Sequence, residues 1–167
     1  MKLEDGGPVL YRQTRVGRHG EDFELLKLRT MVVGAETMGA GYAVNKGDVR
    51  ITRAGRILRR LSIDELPQLW NVIRGEMSII GPRPTLRYQV DRYDEHQRRR
   101  LDVKPGITGW AQIHGRAELP WADRIELDVW YVEHRSPALE LKILLRTPLA
   151  LFGGTYKGET GGWTQAS

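Results

Sequence analysis

The densest group of side chains able to do chemistry lies between Arg59 and Arg83. Asp64 and Glu65 are adjacent carboxylates. Arg53, Arg56, Arg59 and Arg60 precede them, and Pro82-Arg83-Pro84 follows. A carboxylate can attack phosphorus to form an acyl phosphate, and a second can help to hold Mg²⁺, which binds one or two carboxylates together with substrate phosphates. Cationic side chains then stabilise charge on a transferring phosphoryl group. Prolines on both sides restrict the backbone of Arg83, so less entropy is lost when its planar guanidinium grips an anion. The pattern suits phosphoryl transfer. Each part also has a plainer reading: Asp-Glu as a helix cap, an Arg-rich helix as a solvated face, and Pro-Arg-Pro as a turn.

The elements that must position these groups are partly readable. Val9 to Arg12 and Phe23 to Leu28 are apolar-rich and separated by Gly17 and Gly20, which predicts a β-hairpin. Gly34 to Gly47 reads as a mobile surface loop. Thr52 is placed to cap a helix with Ala54, Ile57, Leu58 and Leu61 on one face and the arginines around the other sides. Leu66, Leu69, Trp70 and Ile73 predict the apolar face of a second helix, ended by a left-handed Gly75. Its start can be read as a Ser62-x-x-Glu65 capping box, but Pro67 would then remove a needed donor. Asp64 as the cap resolves this, placing Pro67 at the third helical position. On either reading the two carboxylates meet the positive end of a helix dipole.

Farther along, a rigid Gly81–Pro84 loop leads into a polar helix from about Leu86 to Leu101. After Pro105-Gly106, residues 107–113 read as a strand or extended loop. Pro120 opens a helix with Trp121, Ile125, Val129 and Val132 on one face. Ser136-Pro137 caps the last helix, whose Leu141, Leu144, Leu145 and Pro148 are expected to pack together, with Leu149, Leu151 and Phe152 extending the apolar surface. Core packing is the expected role of most tryptophans, with Trp121 and Arg124, and the last helix with Lys142 and Arg146, as alternatives at a membrane surface. The expected fold class is α+β: one domain with a small β-hairpin or sheet and several amphipathic helices. Residues 1–153 form that domain, and residues 154–167 a Gly-rich flexible tail.

The 167 residues carry 26 Lys and Arg against 21 Asp and Glu, a net charge of +5, which points to anionic partners. The absence of Cys excludes disulfides, thiolate catalysis and Cys-based metal sites, and the 4 His are scattered, so any metal must be held mainly by oxygen. No run approaches the ~18 apolar residues of a spanning helix, and the N-terminus lacks signal-peptide character. A nucleic-acid binding module is a competing reading, supported by the arginines from Arg50 to Arg60 and by Arg98-Arg99-Arg100. No binding motif accompanies that charge, so nucleic acid is not an expected partner.

A set of motifs in fixed order decides between these readings. They are Tyr11-Arg12-Gln13-x-Arg15-Val16-Gly17, Lys27-Leu28-Arg29-Thr30-Met31, Ile51-Thr52-Arg53-x-Gly55-Arg56, Ser62-Ile63-Asp64-Glu65-Leu66-Pro67-Gln68-Leu69-Trp70-Asn71-Val72, Gly75-Glu76-Met77-Ser78, Gly81-Pro82-Arg83-Pro84, Pro105-Gly106-Ile107-Thr108-Gly109-Trp110-Ala111-Gln112 and Glu126-Leu127-Asp128-Val129-Trp130-Tyr131. The chain thereby resembles the monotopic phosphoglycosyl transferases, the bacterial polyprenyl-phosphate sugar-1-phosphate transferases that start exopolysaccharide, O-antigen and glycoprotein glycan assembly. The resemblance runs from about Gly7 to about Phe152.

The resemblance implies transfer of a sugar 1-phosphate from a UDP-sugar to polyprenol phosphate, with Mg²⁺. Asp64 matches the family nucleophile, which expels UMP and leaves a glycosyl-phosphoryl-aspartate. Glu65 matches its dyad partner, with metal binding or assistance to the second attack as its role, and Asp64 and Glu65 are the implied metal ligands. Arg59 and Arg83 match basic positions around the phosphates, and Lys27 and Arg29 a basic strand motif. Gln112, Arg116 and Asp128 also fall on family motifs, as substrate contacts or as hydrogen-bonded scaffold. Members resembling this chain carry, before Gly7, an apolar helix that enters the membrane and returns. These residues do not include it, so the expectation is either a catalytic portion of a longer protein or a naturally short member. The implied location is the cytoplasmic face of the bacterial inner membrane, with this chain alone soluble or peripheral. A non-catalytic membrane-surface scaffold of the same fold is a third reading.

Overall fold

The computed structural model describes residues 6–38, 47–115 and 119–153, with only the backbone given for 151–153. Strands β1 (Leu10–Val16) and β2 (Asp22–Leu28) form the expected antiparallel hairpin, in register from Leu10 opposite Leu28 to Val16 opposite Asp22. Its turn uses a left-handed Gly20. Val16, Leu25 and Leu26 turn inward from it.

After the hairpin, Met31 bridges Ile51. The excursion between them is held by the buried Arg50, which pairs with Asp48 at 2.6 Å and donates to the carbonyls of Ala35 and Met38 at 2.7 and 2.8 Å. Ala35–Thr37 is a 3-10 turn within the stretch read as loop, and residues 39–46 of that stretch lie outside the described residues.

Helix α1 (Arg53–Arg60) starts at Thr52 as expected, with the Gly55 amide donating to Thr52 Oγ1 at 2.9 Å. Gly55 lies hard against the hairpin's exit: a Cβ there would stand 2.0 Å from the Thr30 carbonyl oxygen. In an open helix Gly→Ala gains about 1 kcal/mol. Gly55→Ala is expected to reverse that sign, since overpacking against backbone costs about 1–3 kcal/mol. A lower thermal melting temperature for the variant checks this.

The second helix begins later than the sequence predicts. A left-handed Ser62 (φ 55°) leads into a 3-10 turn over Ile63–Glu65, and helix α2 (Gln68–Ile73) starts after Pro67 as its N-cap residue. Neither the Asp64 cap nor the Ser62–Glu65 capping box forms. Proline has no N–H to leave unpaired and its φ of −61° suits a helix start, so the helix begins behind it. The left-handed Gly75 follows as expected. Asn71, fully buried, ties α2 to the hairpin: its side chain donates to Glu24 O at 2.7 Å and accepts from Leu26 N at 3.1 Å.

Strands β3 (Ser78–Ile80) and β4 (Gly106–Thr108) pair in parallel. The single polar helix expected over 86–101 is broken into α3 (Arg87–Val90), α4 (Glu95–Arg98) and a 3-10 turn over Arg99–Leu101. Asp94 restarts the helix by accepting from the Gln97 amide at 2.8 Å, while Tyr93 just before it is drawn into the core. Residues 107–113 divide between β4 and a short helix, α5 (Trp110–Ile113). Helices α6 (Trp121–Glu133) and α7 (Pro137–Gly153) begin where Pro120 and Ser136-Pro137 predict.

One apolar cluster gathers Val16, Val90, Tyr93, Ile125 and Val129, and a second gathers Ile80, Tyr131 and Ile143. The faces expected to bury on α1 and α2 are largely open: Ala54 and Leu58 are half-buried, but Ile57, Leu61, Leu66, Leu69, Trp70 and Ile73 are exposed, Ile73 by 73%. On α7, Leu141, Leu144, Leu145 and Leu149 are likewise exposed. Trp70 and Trp130 lie at the surface, against the expectation of core packing, whereas Trp110 and Trp121 are partly buried against the clusters. Helical spacing identifies a face but not what covers it. Among the described residues no helix is long and apolar enough to cross a membrane. The architecture is α+β, as expected.

Candidate active site

Asp64 is 9% exposed, at the centre of the tight turn between α1 and α2. With the helix starting after Pro67, its carboxylate is not engaged in capping, and it accepts no hydrogen bond from a described residue. Burial pushes its pKa up and the neighbouring Glu65 adds to the rise, while Lys27, Arg59 and Arg83 pull the other way. The balance lies above the ordinary aspartate value.

Glu65 differs in its partners. Lys27 Nζ, from β2, lies 3.3 Å from its Oε1, and Arg83 Nη2 lies 2.8 Å from the same oxygen. Burial alone would raise this carboxyl, but Arg83 and Lys27 outweigh it and hold Glu65 well below the usual carboxylate range. Two adjacent carboxylates thus have opposite environments: Glu65 is a fixed anion pinned between cations, and Asp64 is a desolvated carboxylate with open lone pairs.

Arg59 donates from Nε to Thr30 Oγ1 at 2.7 Å, which aims its guanidinium from α1, and its charge acts on Asp64. Thr30 is a site residue that sequence reasoning passed over within the Lys27–Met31 motif. Arg29 is buried and reaches the backbone carbonyls of Pro8 and Met31, at 2.6 and 3.1 Å. Gln112, on α5, packs at the base of the loop that carries Arg83: a Cβ on Gly109 would lie 2.8 Å from Gln112 Oε1 and 2.2 Å from Gly81 O. Both polar atoms of its amide are enclosed with no hydrogen-bond partner among the described residues. Arg116 lies outside the described residues. The structure therefore brings Lys27, Arg59 and Arg83 around the Asp64–Glu65 pair.

Asp128 is scaffold. It is buried on α6 and pairs with the equally buried Arg100, Nη2 to Oδ2 at 2.5 Å. In the sequence Arg100 belongs to a basic run, Arg98-Arg99-Arg100. Its neighbour Arg99 pairs with Glu133 at 2.7 Å. No signal within three successive arginines tells which one turns inward; only the carboxylate on a distant helix decides it.

Residues 1–154 match the bacterial sugar transferase family, and the chain belongs to that family. It is 50% identical over 147 residues to EpsL of Bacillus subtilis (strain 168), named as an uncharacterized sugar transferase, covering 88% of this chain and 71% of EpsL. It is 42% identical over 160 residues to the UDP-N-acetylgalactosamine-undecaprenyl-phosphate N-acetylgalactosaminephosphotransferase of Aeromonas hydrophila, covering 92% of this chain and 38% of that protein. To the UDP-glucose:undecaprenyl-phosphate glucose-1-phosphate transferase of Xanthomonas campestris pv. campestris it is 41% identical over 161 residues, covering 92% of this chain and 33% of that protein.

Proposed function

We propose that this chain transfers a sugar 1-phosphate from a UDP-sugar to polyprenol phosphate in two displacements at Asp64, at the cytoplasmic face of the bacterial inner membrane. In the first, an Asp64 oxygen attacks the sugar-bearing phosphorus; the bond to the UMP oxygen breaks, UMP leaves, and a glycosyl-phosphoryl-aspartate remains. In the second, a phosphate oxygen of polyprenol phosphate attacks the same phosphorus and the aspartate leaves as a carboxylate. The observation that carries this reading is the contrast within the dyad: Glu65 is held by Lys27 and Arg83, while Asp64 is enclosed, unbonded and faced by cations. The names of the Aeromonas and Xanthomonas relatives, both undecaprenyl-phosphate sugar phosphotransferases of different sugars, support the reaction class and leave the sugar open.

The Asp64–Glu65 pair suits Mg²⁺ held together with substrate phosphates. Among the described residues no group of three or more His, Asp and Glu could hold an ion by itself. One unbonded carboxylate, Asp64, with Glu65 beside it, would leave most positions to water and substrate phosphates, which is how Mg²⁺ is commonly bound. When bound there, Mg²⁺ supplies positive charge to the phosphates. Arg83 and Arg59 orient the donor's anionic groups, and Lys27 keeps Glu65 in place.

Exposed faces on α1, α2 and α7 suit contact with the membrane that holds the acceptor. A nucleic-acid reading loses support because Arg50, Arg99 and Arg100 are engaged inside the protein's own ion pairs. The deciding experiment offers a panel of UDP-sugars and detergent-solubilised polyprenol phosphate and assays UMP. Mg²⁺-dependent UMP release with at least one sugar is expected. No release with any of them would overturn the reading.

A further inference from the structure

The loop that carries Arg83 is held through its carbonyls. Pro82 O accepts from Gly106 N at 2.9 Å, and Thr85 O accepts from Val16 N at 2.9 Å. Pro84 O accepts from Arg15 Nη1 at 3.2 Å, and the Arg83 carbonyl itself accepts from Arg100 Nη2 at 3.0 Å. The last donor comes from the interior. Arg100 is 4% exposed, and its guanidinium is shared among Asp128 of α6, the Tyr93 hydroxyl and the Arg83 carbonyl. Tyr93 in turn donates to Thr85 Oγ1 at 3.2 Å, on the same loop.

The arrangement is not the one that neutralising Asp128 alone would favour. An arginine facing a carboxylate usually presents a two-pronged fork. Here Nη2 is divided between Asp128 and Arg83, and Nε is enclosed with no hydrogen-bond partner among the described residues. An unpaired buried donor is unfavourable, and so is taking two charges out of water. Both features become intelligible if the guanidinium serves the loop.

We propose that Arg100, oriented by Asp128 and Tyr93, is a positioning residue for Arg83: it fixes the backbone at Arg83 and so holds that side chain on Glu65. The coupling path is short and physical. Tyr93 and its neighbours Val90, Ile125 and Val129 form the main apolar cluster, and Arg100 connects it to the backbone of one residue of the site. Losing the bond leaves the loop attached through Pro82, Pro84 and Thr85, so the fold persists while the root of the Arg83 side chain is released. The inference rests on the reading of Arg83 as part of the anion-binding machinery.

Two alterations test it. Arg100→Lys keeps a cation beside Asp128 but cannot span its three partners. Arg100→Met combined with Asp128→Leu removes both charges, leaving neither buried alone. If Arg100→Lys fails to melt cooperatively, the charge-free pair takes its place in each measurement. Because small misplacements of a substrate-positioning group cost up to about 100-fold, either alteration is expected to lower kcat for UMP release about tenfold or more, with cooperative melting retained. Added to Arg83→Lys, the same alteration should lower kcat less than about twofold further, since a positioning residue has nothing left to position. Factors that multiply would overturn the proposal. Arginine-selective ¹⁵N NMR gives a readout that needs no turnover: the Arg83 Nε signal, assigned by its loss in Arg83→Lys, should shift or broaden in the altered proteins. An unchanged signal would also overturn the proposal. Absence of UMP release by the wild-type chain would count instead against the proposed reaction, and the spectrum would still decide the role of Arg100.

Discussion

Asp64→Asn is expected to abolish UMP release while leaving the chain folded and at least as stable as the wild type at neutral pH. The chemical half follows from the loss of the attacking oxygen. An amide is close in shape but is no nucleophile toward phosphorus at neutral pH, and no other carboxylate in the site is available, since Glu65 is held by Lys27 and Arg83. The stability half follows from the sign of the shift. Burial, with Glu65 beside it, raises the Asp64 pKa in the folded chain. The native state therefore takes up a proton at a higher pH than the unfolded chain does, and stability falls as pH rises from the ordinary aspartate value through the raised one. Above that window the ionised carboxylate is a burden on the fold that asparagine removes. The change should stay within about 1 kcal/mol, because the neighbouring cations lose a favourable partner at the same time. Thermal melts at pH 7 and UMP assays check the two halves. Intact-protein mass spectrometry after exposure to UDP-sugar should show the covalent adduct on the wild type only. Turnover within tenfold of wild type would remove Asp64 as nucleophile. The same raised pKa predicts that wild-type activity declines on acidification through a window above the ordinary aspartate value, while Glu65 remains ionised to lower pH.

Arg83→Lys is expected to lower kcat/KM by about 10²-fold, the usual scale for removing one preorganised donor from a charge-stabilising site. The substitution keeps the positive charge, so a role as a point charge alone predicts near-normal kinetics. Arg83 is placed to do more. Nη2 donates to Glu65 Oε1 at 2.8 Å, and a guanidinium carries its N–H donors in a rigid plane that matches carboxylate and phosphate oxygens. A lysine ammonium carries its charge on a flexible stem and cannot hold Glu65 and a phosphate oxygen in the same rigid fork. Lys27 still contacts Glu65 in the variant, so the dyad's charge balance changes little and the loss reports on geometry. Steady-state kinetics across UDP-sugar concentrations, with a melt to confirm folding, measure the effect. Wild-type kinetics would show that charge suffices at this position.

Local chemistry by itself determined a good part of this protein. Short apolar-rich segments on either side of Gly17 and Gly20 specify the hairpin, Thr52 specifies the start of α1, and Pro120 and Ser136-Pro137 specify the starts of α6 and α7. Each depends on backbone preferences acting over a few residues. The adjacency of Asp64 and Glu65 is also written in the chain, as is the family through its ordered motifs. Tertiary structure decided what those carboxylates face. Lys27 comes to Glu65 from β2 and Arg83 from a loop beyond β3, with Asn71 tying α2 to the hairpin and the loop held through the carbonyls of Pro82, Arg83, Pro84 and Thr85. Among three successive arginines, Arg99 turns outward and Arg100 inward, a choice set by Glu133 and Asp128 on α6. Several apolar residues of α1, α2 and α7, among them Ile57, Leu69, Ile73 and Leu145, remain exposed for a related reason. Periodicity places them on one face, but burial requires a second surface, and the described fold does not put one there. Burial and charge pairing are relations between distant segments, whereas caps and turns are properties of one.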